Sequence, residues 1–252
     1  SLYDYRIFPN RFDFVGIQNY ANLFHDPAFL TALKNNLIWI LIHCTVHVGI
    51  GTILALILYK KPFGWKFTRV VYMIPSIISN AAVAMIFLNI YNPSYGVINS
   101  ALDALGMDSV AKNWLYDGRT SFLCVTIIWT LFSGYNTTLI LAQALSIDDS
   151  ILEAARVDGA SDFKIDIFIV LPLVKGMIAT TMVMASTYML QMFDLIYLTT
   201  NGGPGTRTTN LPLMLYKTAM VENNYGYANA IGACIILIGF VCMTAINRSL
   251  KT

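Results

Sequence analysis

Apolar residues in this chain run in long unbroken blocks. They neither alternate nor recur on a single helical face. Five blocks reach the about 20 mostly apolar residues that a membrane-crossing helix requires. They run from about Asn36 to Tyr59, Val70 to Tyr91, Phe122 to Leu145, Pro172 to Leu198 and Tyr227 to Ile246. Each is too long and continuous for a strand, and each reads as free of turn signals. The pattern predicts an all-α, polytopic helical membrane protein with five spans and a transmembrane domain over residues 34–248. Residues 1–33 form a lead-in to the first span. Ser1-Leu2-Tyr3-Asp4-Tyr5 reads like the polar exit of a span, so a further helix is expected before residue 1.

Composition agrees. Of the 252 residues, 56% are hydrophobic and 12% charged, against about 25% charged in soluble domains. The net charge of +2 and the lack of a basic run give no reason to expect a nucleic-acid partner. Cys44, Cys124, Cys234 and Cys242 all lie in apolar blocks and form no Cys-x-x-Cys pair, so they read as small buried thiols. Gly49, Gly51, Gly232 and Gly239 offer close helix contacts within the spans.

Lysine and arginine set the expected orientation. The loop Lys60–Arg69 carries Lys60, Lys61, Lys66 and Arg69 and no acidic residue, which places it in the cytoplasm. Alternation then puts 1–33, 92–121 and 199–226 outside, and 146–171 and the Arg248/Lys251 tail inside. Tyr59, Trp65, Tyr72, Tyr91, Tyr197 and Tyr227 cluster at the expected interfaces, as amphipathic rings do.

The polar loop 146–171 is unlike the others. Ser146 can cap a helix, Asp148 and Asp149 complement its positive end, and Gly159 can end it in a left-handed conformation. A second short helix over about Ser161 to Val170 would return to the membrane, with Pro172 in the first turn of the next span. A bare Glu-Ala-Ala would be an ordinary amphipathic loop. Here Glu153-Ala154-Ala155 is followed after three residues by Gly159, and after nine more by Ile169-Val170-Leu171-Pro172. That register resembles the coupling motif of permease subunits in binding-protein-dependent ABC importers. The resemblance implies a type I ABC importer permease fold and a coupling helix docked in the cleft of an ATPase subunit. It assigns Glu153 as the charged contact, Ala154 and Ala155 as the packed face, and Asp158 and Gly159 to the turn.

Other segments extend the likeness. Phe14-Val15-Gly16-Ile17-Gln18-Asn19-Tyr20, Asn92-Pro93-Ser94-Tyr95-Gly96 and Phe193–Gly205 are similar to carbohydrate permeases, the last to the larger maltose permease. Its Gly202-Gly203-Pro204 is either a plain external turn or a ledge for the binding protein. The partners implied are a second permease subunit, two copies of a cytoplasmic ATPase, an external substrate-binding protein, a carbohydrate and the surrounding lipid. The membrane is the cytoplasmic membrane of a bacterium or archaeon. The chain has no Gly-x-x-x-x-Gly-Lys-Ser/Thr and no evident nucleophile–base pair, so it is read as a non-catalytic subunit. It carries no cofactor, with ATP and Mg bound by the partner ATPase.

Polar groups inside spans face other helices or a water-filled path. Ser76 and Asn80 fall on one face of the second block, Tyr135 and Asn136 in the third, and Tyr188, Gln191 and Asp194 on one broad side of the fourth. Amides and phenols suit an uncharged polyol; they suit interhelical hydrogen bonds equally well. By position the resemblance favours Asn80, Tyr135 and Met189–Met192 as path residues. Met189 and Met192 stand where the maltose permease has amides, which argues against maltose itself. His43 and His47 share a face four residues apart, but no third ligand accompanies them, and packing is the simpler reading. Two alternatives remain: an ion-coupled secondary transporter, with little intramembrane charge to serve it, and an importer permease for a non-sugar substrate.

Overall fold

The computed structural model describes residues 1–8, 10–130 and 132–250. Four described helical runs are long and apolar enough to cross a membrane: Pro27–Leu58, Ser121–Ala144, Asp162–Gln191 and Tyr225–Leu250. A bent pair, Trp65–Ile77 with Asn80–Ile90, makes a fifth if taken as one span. The described residues are mostly helical, and among them one hairpin departs from the all-α expectation: β1 (Tyr3–Arg6) with β2 (Arg11–Phe14). Tyr3 faces Phe14 and Tyr5 faces Phe12 across it. Such aromatic cross-strand pairs stabilise an isolated ribbon. Like charges also stand opposite one another, Asp4 to Asp13 and Arg6 to Arg11. The diagonal Arg11–Asp4 ion pair at 3.0 Å relieves them.

The helices after the hairpin are α1 (Gln18–His25), α2 (Pro27–Ile42), α3 (Val48–Leu58), α4 (Trp65–Ile77), α5 (Asn80–Ile90), α6 (Val97–Ala104), α7 (Ser121–Thr130), α8 (Gly134–Ala144), α9 (Asp149–Val157), α10 (Asp162–Ile165), α11 (Leu171–Gln191), α12 (Asp194–Thr199), α13 (Leu211–Tyr216) and α14 (Tyr225–Leu250). Wide π-type turns at His43–His47 and Asp166–Val170 join α2 to α3 and α10 to α11.

Three blocks are less continuous than their hydropathy predicts. The second breaks at Ile78–Ser79, where both residues are extended and the Ser79 hydroxyl accepts from Ala82 N to start α5. Pro75 three residues earlier removes a helical donor, so a turn signal was present after all. The third block is interrupted ahead of α8, with Ser133 outside helical geometry. The fourth ends at Gln191 and restarts at Asp194, so Asp194 does not continue the face of Tyr188 and Gln191. Pro172 lies inside the run Asp162–Gln191 and does not begin it. The preceding π turn widens the helix where a proline would otherwise meet the carbonyl four residues back. Leu211–Val221, read from sequence as external loop, contains a short apolar helix. Asn210 caps it and Pro212 occupies its first turn.

The chain forms two compact units. One comprises Ser1–Ile40, Ser79–Ile128 and Thr187–Val241; the other comprises Leu41–Ile78, Trp129–Ser186 and Cys242–Thr252. In the first unit Leu23, Phe29, Ala32, Leu211, Met214 and Ile231 form a core. Fully buried Asn36 donates to Met189 O at 3.0 Å and accepts from Leu211 N at 2.7 Å. Asn210 donates to Met192 O. These amides occupy backbone groups released where α11 ends and α13 begins, which a buried break requires. In the second unit α3 packs along α8. Gly134 at the head of α8 lies so close to the Tyr72 carbonyl that no side chain fits there.

Candidate functional site

The loop 146–171 belongs wholly to the second unit. Its helix α9 starts later than the sequence predicts: Asp148, not Ser146, is the cap, its carboxylate accepting from Ser150 N at 2.9 Å. That bond holds the Asp148 carboxyl below the usual carboxylate range. Gly159 ends the helix at φ +80°, with its N–H on Arg156 O and the Ala160 N–H on Ala155 O, both at 3.0 Å. This is a complete Schellman cap, and the left-handed residue it demands is the one glycine supplies without strain.

The two alanines of the motif part company. Ala155 is 9% exposed and lies with Leu152 in one apolar cluster with Ala55 and Leu58 of α3, Tyr59 just beyond its end, and Ile140, Leu141 and Ala144 of α8. The resemblance pairs Ala155 with Ala154 on the face packed against the ATPase; in this structure the small size of Ala155 serves packing inside this chain. Glu153, Ala154, Asp158 and Gly159 are exposed. Beside them stand Ile151, Val157 at 87% exposure, and Phe163 at 73%. These apolar residues were not singled out from the sequence. The signal was there in Leu152 and Ala155, which share one helical face and leave Ile151, Ala154 and Val157 on the other.

The intramembrane polar residues sort differently from expectation. In the first unit the Tyr188 hydroxyl donates to Asn80 Oδ1 at 3.1 Å, and Gln191 is exposed. Met189 and Met192, which the resemblance offers as path residues, are 1% and 3% exposed and sit here as core side chains. In the second unit Tyr135 is exposed, whereas Asn136 is buried against Gly51 of α3. Ser76 is exposed and donates to Phe132 O at 3.4 Å. The break at Ile78–Ser79 separates Ser76 from Asn80, so the two do not share a helical face. A cavity of about 320 Å³ beside the end of α5 contains none of these residues; Asn89, Asn92, Asn113, Tyr91, Tyr95 and Tyr116 line it.

The His43 and His47 rings stack at 4.0 Å, and His47 Nδ1 lies 3.0 Å from Thr130 O. Among the described residues no group of three His, Cys, Asp or Glu side chains could hold a metal. Stacked, nearly parallel rings are a packing arrangement, and they do not converge on one ion.

Residues 47–251 match the family model described as the binding-protein-dependent transport system inner membrane component. The chain is 36% identical to the probable ABC transporter permease protein YurN of Bacillus subtilis, over 94% of this chain and 82% of that protein. It is 33% identical to the multiple sugar-binding transport system permease protein MsmF of Streptococcus mutans, over 95% and 82%. Its fold matches that in the crystal structure of a bacterial ABC transporter involved in the import of the acidic polysaccharide alginate. The TM-score is 0.85 at 23% identity, over 94% of this chain and 84% of that one. With its apolar helices, its capped loop after α8 and these likenesses together, the chain belongs to the family of inner membrane components of binding-protein-dependent transport systems.

Proposed function

We propose that this chain is one transmembrane subunit of an ATP-driven carbohydrate importer, and that α9 is the element through which it docks on the ATPase. One observation carries the reading. The inner face of α9 is anchored by Leu152 and Ala155, while Glu153, Ala154, Val157 and Asp158 stand exposed. A rigid, small-faced helix with a charge at its centre fits a cleft in a partner, and apolar Val157 adds contact area there. In this reading 60–69, 146–171 and the C-terminus face the cytoplasm of a bacterium or archaeon. A second permease subunit, two ATPase copies and an external binding protein complete the assembly. ATP and Mg belong to the ATPase; this chain receives the resulting motion at α9 and alternates between outward- and inward-open states.

Carbohydrate as the cargo is supported by the named transport roles of the relatives and by phenols and amides that are exposed or half-buried. Asn80, Tyr188 and Gln191 in one unit and Ser76 and Tyr135 in the other can exchange hydrogen bonds with hydroxyls. The test is reconstitution of all four components in proteoliposomes. Glu153→Ala should leave the complex in the membrane and lower uptake about tenfold, the scale of one lost charge-assisted hydrogen bond. Undiminished uptake removes Glu153 from the contact. Amino-acid, polyamine or phosphate uptake in place of sugar uptake overturns the cargo class, and gradient-driven uptake without the ATPase favours the ion-coupled alternative.

A further inference from the structure

A polar bracket ties the root of the docking loop to α3. Tyr59 follows the last residue of α3, and its hydroxyl donates to Asp166 Oδ1 at 2.5 Å. The neighbouring Lys60 Nζ donates to Asp166 Oδ2 at 2.6 Å. One carboxylate thus spends both oxygens on the same end of one helix. The Asp166 side chain is 14% exposed and Lys60 35%. A half-shielded, doubly bonded carboxylate differs from an ordinary surface pair. Arg156–Asp162 is an ordinary one: it spans the Gly159 turn at 3.7 Å with side chains 54% and 66% exposed.

The position of the bracket gives it meaning. Asp166 opens the π turn between the docking loop and α11. That turn and Pro172 beyond it make this the least regular stretch of the run Asp162–Gln191. The apolar packing around it joins Leu58 and Tyr59 to Leu152, Ala155, Ile165 and Val170. Hydrophobic contact resists separation, but it is non-directional and does little against sliding or twisting. Two hydrogen bonds converging on one carboxylate do fix direction.

We propose that Asp166 is a positioning residue for energy coupling: with Tyr59 and Lys60 it locks α9, α10 and α3 into one rigid piece, so that displacement of the docked helix reaches α3 undiminished. The proposal rests on the docking reading above and adds the route by which motion leaves the loop.

The test uses the assembled importer, with spin labels at Ile53→Cys on α3 and Asp149→Cys at the start of α9 and the four native cysteines replaced. Both labelled positions are exposed, and neither belongs to the docking face. With Asp166 intact, the interlabel distance distribution should keep one narrow width in nucleotide-free and vanadate-trapped states. Asp166→Asn keeps an acceptor for Tyr59 but removes the charge facing Lys60. It should broaden that distribution about twofold by releasing local motion. Basal ATP hydrolysis should persist, while its stimulation by the importer's own external binding protein falls about tenfold. Asp166→Glu should restore both, and Tyr59→Phe, which keeps the charge pair, should lie between. An unchanged distribution and stimulation in Asp166→Asn would overturn the proposal. Loss of assembly in both Asp166→Asn and Asp166→Glu would also overturn it, by assigning the bracket to folding. Failure of the docking reading shows separately: in a preparation labelled at Val157→Cys alone, adding the ATPase would then leave the label's mobility unchanged.

Discussion

Substitutions at Gly159 separate backbone conformation from side-chain contact at the docking loop. No atom lies within 4 Å of where a Cβ would stand, so alanine meets no clash there. Its cost is the left-handed conformation at φ +80°, about 1–2 kcal/mol for an L-residue with a Cβ. Against this stands the burial that holds α9 in place. Leu152 alone, at 7% exposure, contributes about 1.5–3 kcal/mol, and Ala155 adds to it. Burial wins, so Gly159→Ala should keep the cap and the docking face and lose only stability. Asparagine tolerates this conformation better than alanine and should fall between glycine and alanine. Proline is different in kind. Its φ is fixed near −65° and it has no N–H for Arg156 O, so the cost is about 3 kcal/mol or more and the cap breaks. The assay is thermal unfolding of the purified complex, paired with uptake per ATP hydrolysed in proteoliposomes. Unfolding temperature should fall in the order Gly, Asn, Ala, Pro, with coupling lost only for Pro. Equal coupling in the alanine and proline variants would refute the reasoning. So would coupling loss in the alanine variant without a stability change.

Asn36→Ala removes a fully buried amide and leaves its two partners, Met189 O and Leu211 N, without it. At about 1–3 kcal/mol for each orphaned group, the variant should unfold at clearly lower temperature in detergent, and an unfolding temperature equal to the parent's would count against this account of the α11 break. Asp148 makes the loop sensitive to acid. Its folded-state carboxyl lies below the ordinary value, so its contribution is present above the unfolded value and is lost as pH falls through the folded one. The protection factors of the α9 amides, which correct exchange rates for their intrinsic pH dependence, should therefore fall on acidification below the usual carboxylate range, and Asp148→Ala should flatten that dependence at uniformly lower protection.

Legibility from sequence varied with the range of the interactions concerned. The docking loop was readable because its determinants are local. A cap and a left-handed glycine are set within about one or two helical turns, and the motif register lies in one continuous stretch from Glu153 to Pro172. Even there the cap slipped from Ser146 to Asp148, since both residues can serve and the first turn of the helix decides. Pro75 and the Asn210-Leu211-Pro212 run were local signals too, visible within apolar or loop sequence and passed over. The candidate path was harder. Met189 and Met192 share a hydrophobic block with exposed Gln191, and nothing in their order says which side chains turn inward.

By itself, then, the sequence determined an apolar helical chain, a polar loop after the third apolar block, and the turn chemistry of Gly159. These follow from hydropathy and backbone preference, which act over neighbouring residues. The tertiary structure alone decided the rest. It turned Ala155 inward and buried Asn136 against Gly51. It ended α11 at Gln191, where Asn36 and Asn210 from elsewhere in the chain receive the released groups. It brought Asp166 to Tyr59 and Lys60, more than a hundred residues away. Each of these depends on which helix packs against which, and a buried polar group is tolerated only where a distant segment supplies its partner.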